Sequence, residues 1–143
     1  MKNTIISKLS LVLIIILMIT LTSCNIFNNK KDLWSDAIYK VDTELGVGAK
    51  TVIIDVCVKE HSVRFTIHTD AKTLGEALLE HKLIEGEDSQ YGMYIKKVNG
   101  IIADYDIDGS YWGFYKYDNE YMMSGVDTTE IHDGDHFQLV YEK

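Results

Sequence analysis

The run from Thr51 to Asp70, TVIIDVCVKEHSVRFTIHTD, constrains this chain more than any other part of it. Val52, Ile54, Val56 and Val58 recur at every second position, with Ile53, Asp55 and Cys57 between them. Val63, Phe65 and Ile67 repeat the pattern against Ser62, Arg64, Thr66 and His68. A period of two puts one apolar row on one side of an extended chain, so each segment predicts a strand with a buried face. Glu60 and His61 supply the polar turn, and the pair predicts a hairpin. A first strand is expected just upstream at Ala37 to Val41, followed by turn residues at Gly46 and Gly48.

The period then changes. TLGEALLEHKL places Leu74, Ala77, Leu78 and His81 or Lys82 on one side at helical spacing. Thr73 and Glu76 stand in the T-x-x-E arrangement, in which each side chain satisfies a free amide of the first turn. Gly86 is expected to close the segment. One narrow apolar stripe suits a helix lying on a sheet. Downstream, YGMYIKKVNGIIADY, YWGFYKYDNEYMM and HFQLVYEK are rich in aromatic or β-branched residues. Asn99-Gly100, Asp118-Asn119 and Asp133-Gly134-Asp135 supply the reversals between them. The order predicts an α+β domain, β-grasp-like, with one helix on a mixed, mostly antiparallel sheet.

The N-terminus is set aside as a targeting segment. Lys2 and Lys8 precede an apolar run, Leu9 to Leu21, too short to span a membrane comfortably. It ends in Leu21-Thr22-Ser23-Cys24, the pattern of a bacterial lipoprotein signal. Residues 1–23 are therefore expected to be removed and Cys24 lipidated, placing the protein on the extracytoplasmic face of the cell membrane. Residues 24–35 then form a polar tether and residues 36–143 the domain. The whole chain has 22 acidic and 14 basic residues, a formal net charge of −8, and loss of Lys2 and Lys8 makes it more acidic. That disfavours nucleic acid and anionic lipid surfaces as partners. Cys57 has no second cysteine in the domain to pair with, and its apolar and acidic neighbours predict an inert thiol.

Asp104, Asp106 and Asp108 with Gly109 match the opening of a calcium loop, where alternate oxygen ligands converge. The twelfth position, which needs a bidentate glutamate, is Tyr115, and the flanks read as strands. An acidic connector is the expected reading, with a loose surface cation site as its alternative. His132 and His136 have i, i+4 spacing across a turn, which suits solvated histidines better than a zinc or cobalt pair. No nucleophile with a partner set, phosphate loop or metalloprotease motif is present, so no enzyme activity is expected.

The segments TLGEALLE, YGMYIKKVNG, SYWGFY, DNEYMMSGVD and IHDGDHFQLVYEK resemble a family of bacterial cell-surface domains. That family is itself similar to the C-terminal domain of transcobalamin and intrinsic factor, the animal vitamin B12 carriers. The resemblance runs from about Asp36 to Lys143 and implies a β-grasp-like fold that binds a small molecule, with a corrinoid as first candidate. In the carriers a helical barrel completes the site, and nothing here corresponds to it. The turn YDNEY also departs from the Asn-Gly-Glu more usual in the family.

The aromatic residues around Tyr111 to Tyr121 form either ordinary strand core or an exposed platform for a flat ligand. Trp112, Tyr111, Phe114, Tyr91, Tyr94 and Asn99 are the candidate ligand residues, drawn from both faces of the strand, with Gly113 giving a ligand access to the backbone. Two functions follow: capture of a nutrient or cofactor for a membrane transporter, or a protein-interaction and adhesion module using the same face.

Overall fold

The computed structural model describes residues 32–143. The proposed signal segment, Cys24 and most of the tether lie outside the described residues. The strands are β1 (Thr43–Gly46), β2 (Lys50–Val58), β3 (His61–Thr69), β4 (Ile84–Ser89), β5 (Gly92–Val98), β6 (Ile101–Ile102), β7 (Tyr111–Lys116) and β8 (His136–Glu142). Helix α1 spans Leu74–Glu80 and the single-turn α2 spans Tyr105–Asp108.

The architecture is α+β. The main sheet has the order β1-β3-β2-β8-β7, and a smaller sheet has the order β4-β5-β6. β2 pairs antiparallel with β3 and parallel with β8, and β8 pairs antiparallel with β7. The last strand is thus inserted between the first hairpin and the aromatic strand. Val52, Ile54, Val56, Val63, Phe65 and Ile67 are buried, as the alternation requires. They join one core with Leu74, Ala77 and Leu78 of α1 and with Ile84, Ile95, Val98 and Ile101 of the smaller sheet.

The capping box at the start of α1 is formed: Thr73 Oγ1 accepts the Glu76 N–H, and the Glu76 carboxylate accepts the amides of Thr73 and Lys72. Hydrogen bonds from those two amides hold the Glu76 carboxyl below its usual range. The two-residue turn Asn99-Gly100 joins β5 to β6 with φ 49° and 84°, the left-handed pair that a tight hairpin demands.

Four local expectations are corrected. Ala37–Val41 is not a strand; Ile38 and Tyr39 are held by Asn99 instead, and the edge strand is Thr43–Gly46. The first hairpin turns at Lys59–Glu60, with His61 already in β3, because Val58 pairs with His61. Helix α1 stops at Glu80, since Lys82 takes φ 54°, so His81 and Lys82 lie past the helix. Gly86 sits inside β4 at a register shift and does not end the helical segment.

Candidate functional site

β7 lies at the edge of the main sheet with β8 on one side. On its other side the chain returns through the 117–120 turn, where Lys116 N–H donates to Glu120 O and Met122 N–H to Phe114 O. The alternation along β7 is decided by the core. Trp112 and Phe114 face inward, each only 7% exposed. Tyr141 meets the Trp112 ring edge-on at 5.6 Å, and Phe137 lies tilted against Phe114 at 5.5 Å. On the outward side, Tyr115 donates its hydroxyl to Glu142 at 2.8 Å and stands edge-on to Tyr121. Gly113 is occupied by the protein itself. A Cβ there would stand 2.7 Å from the Tyr115 ring, so the glycine makes room for Tyr115 and not for a ligand.

Between β5, β7 and the segment after Tyr121 runs a groove of about 330 Å³. Tyr91, Tyr94, Tyr111, Trp112 and Phe114 all line it. Tyr91 is 84% exposed, Tyr94 38% and Tyr111 36%, so three rings are open to a ligand while Trp112 and Phe114 form the inner wall. Met122 and the exposed Met123 also line it, and their flexible thioethers can adapt to an irregular guest. The indole Nε1 of Trp112 is buried and has no hydrogen-bond partner among the described residues. Asn99 is the one candidate kept out. It is fully buried, its side chain bonded to the backbone of Tyr39, and it does not line the groove.

A second groove of about 500 Å³ shares Tyr94 and Tyr111 with the first. Its walls are acidic and aromatic, with Glu87, Asp104, Tyr105 and Asp106 around Lys96. Lys96 sits 3.2 Å from Glu87, and that contact raises its pKa. Periodicity alone did not point to Glu87 or Lys96; only the approach of the smaller sheet to β7 assembles them with Tyr105.

The aspartate series is engaged elsewhere. Asp104 caps α2, accepting from the amides of Asp106 and Ile107. The connector is therefore a helical turn and not an open loop. Asp108 accepts from Lys143 at 2.6 Å and from the amide and hydroxyl of Ser110, with Lys143 foremost in holding its carboxyl down to about 2. Among the described residues no group of three or more His, Cys, Asp or Glu side chains is arranged to hold a metal. His132 and His136 take different partners: His132 Nδ1 lies 3.6 Å from Asp135, while His136 stacks on Tyr117 and meets Asp55 at 2.8 Å. His136 is thus half-buried on β8 and not a solvated turn residue.

The family model described as "Domain of unknown function (DUF4430)" matches residues 71–143. The chain belongs to the DUF4430 family. The matched part holds α1, β4 to β8 and every residue of the groove. The DUF4430 chain is 32% identical to a candidate metal-binding protein from Ruminococcus gnavus, over 66% of this chain and 98% of that one, with a TM-score of 0.62. It also shares its fold with haptocorrin, of the transcobalamin family, in complex with Cbi. There the identity is 18% and the TM-score 0.50, over 69% of this chain and 26% of haptocorrin. No curated protein matches it.

Proposed function

We propose that this DUF4430 chain is a non-catalytic capture module that binds a small molecule in the aromatic groove. One observation carries the reading: Tyr91 of the β4–β5 turn, Tyr94 of β5, and Tyr111, Trp112 and Phe114 of β7 meet in one concavity. At about 330 Å³, joined to a neighbour of about 500 Å³, the space falls in the range of small-ligand pockets. Concavity favours a small ligand over the flatter face that an adhesion module would use. Exposed tyrosines suit a flat, cofactor-like guest, and the haptocorrin likeness makes a corrinoid the first candidate. The Ruminococcus relative is described as metal-binding, and a metal held inside an organic chelate fits that description with this lining, since no cluster of metal ligands is arranged among the described residues. In this reading lipidation of Cys24 holds the domain at the outer face of the membrane, where it hands its ligand to a transporter.

The test is a thermal-shift series on the full chain in detergent against corrinoids, haem, other vitamins and divalent ions. A corrinoid should raise the melting temperature, by an amount that reflects about 1 kcal/mol or more once its concentration exceeds Kd several-fold. Tyr111→Ala should abolish that shift. If no organic ligand shifts melting, the capture reading fails. Lipidation is checked separately by palmitate labelling, which should vanish in Cys24→Ser.

A further inference from the structure

The far side of the main sheet carries a third recess of about 400 Å³ that shares no residue with either groove. The strand register sets Arg64, Asp55, Gln138 and Tyr115 side by side across four strands. Asp55 is only 8% exposed and its acceptors are occupied. Arg64 Nε and Nη2 reach its two oxygens at 2.8 and 3.1 Å, and His136 Nε2 lies 2.8 Å from Oδ2. Tyr117 stacks on His136 with ring centroids 4.0 Å apart, which fixes that ring at the edge of the recess. Asp55 is therefore a buttress that holds Arg64, His136 and Tyr117 in place.

What the recess presents is a set of unspent polar groups. Arg64 uses two of its five N–H donors on Asp55, leaving three. The hydroxyls of Ser62 and Tyr117 and the carboxamide of Gln138 make no hydrogen bond within the described residues, and Gln138 Oε1 is buried without a partner. A buried carboxamide oxygen left unpaired is costly unless something else satisfies it. Donors and acceptors stand here in similar number, and the Arg64 charge is already matched by Asp55. An anion would meet Asp42 and Asp55, and a cation would meet Arg64. A neutral guest whose groups both donate and accept fits this wall, and hydroxyls do both. The Tyr117 ring offers a flat surface for the C–H face of such a guest.

We propose that this recess is a binding site for a neutral saccharide, with Ser62, Arg64, Tyr117 and Gln138 as its contacts. Cys57 lines the same recess, so its thiol reports occupancy. Burial raises the Cys57 pKa, so slow alkylation of the full chain by iodoacetamide at alkaline pH is followed by peptide mass spectrometry, which separates Cys57 from Cys24, with the rate in the absence of sugar as the reference. A panel of neutral monosaccharides and disaccharides should contain a member that slows labelling saturably, reaching about tenfold near ten times its Kd. Ser62→Ala and Gln138→Leu should each weaken that protection about tenfold while leaving the melting temperature unchanged or raised. The proposal is overturned if no saccharide protects Cys57 saturably, if protection survives both substitutions, or if only phosphate or alkylammonium ions protect.

Discussion

The side chain of Asn99 grips the backbone of Tyr39 at both ends, its Oδ1 accepting from Tyr39 N–H at 2.9 Å and its Nδ2 donating to Tyr39 O at 2.8 Å. Its own carbonyl accepts from Ile38 N–H, and its amide donates to Leu83. One buried asparagine thus staples the irregular N-terminal segment to the β5–β6 turn. It also holds φ 49°, which asparagine tolerates better than most residues. Asn99→Ala should cost about 2–5 kcal/mol, because it leaves two backbone groups unpaired and strains the turn. Urea denaturation of the variant measures this, and a loss below that of a surface substitution would show that water replaces the amide.

Asp55 carries a pH dependence. Burial pushes its pKa up, but hydrogen bonds from Arg64 and His136 outweigh burial and leave it lowered. A carboxylate with a depressed folded-state pKa stabilises the fold above its unfolded-chain value of 3.8, and that contribution fades as pH falls through the lower folded value. Asp55→Asn should therefore cost about 1–3 kcal/mol at neutral pH. The gap between wild type and variant in urea midpoint should close in acid.

Tyr115 gives the opposite sign at high pH. Its hydroxyl donates to Glu142, and that carboxylate together with partial burial pushes the phenol up to about 12. The contact is fully present below the unfolded-chain value of 10.0 and is lost as pH rises through about 12. Spectrophotometric titration of tyrosinate should show a late component that Tyr115→Phe or Glu142→Gln removes.

Trp112 separates packing from polarity. Its ring is core, while its indole N–H finds no partner among the described residues. Trp112→Phe should lose about 1–2 kcal/mol at most, since it removes an unsatisfied donor along with some volume. Trp112→Ala should lose about 3–5 kcal/mol and reshape the groove wall. Ligand affinity in the Phe variant then tells whether the indole N–H is a contact: a ligand bonded to it loses affinity, and one that only stacks does not.

Elements set by neighbours along the chain were readable without coordinates. The alternation of Val52 to Val58 and of Val63 to Ile67, the Thr73–Glu76 box and the Asn99-Gly100 reversal each depend on residues within a few positions of one another. Local pattern misleads where a distant partner decides. Ala37–Val41 has strand-like composition, yet Asn99, some 60 residues away, claims its backbone. Gly113 looked like an opening for a ligand because the sequence does not say where the Tyr115 ring lies.

The α+β class, the hairpin, the capped helix and the pool of aromatic residues follow from local pattern, because period and turn chemistry act between near neighbours. The entry of β8 between β2 and β7, and with it nearly everything about the sites, comes from long-range packing. That insertion buries Trp112 and Phe114 against Phe137 and Tyr141 and leaves Tyr111 outside. It also brings His136 to Asp55 across 81 positions of chain. Which face of a strand is buried depends on what lies against it, and for β7 that is chain from far along the sequence.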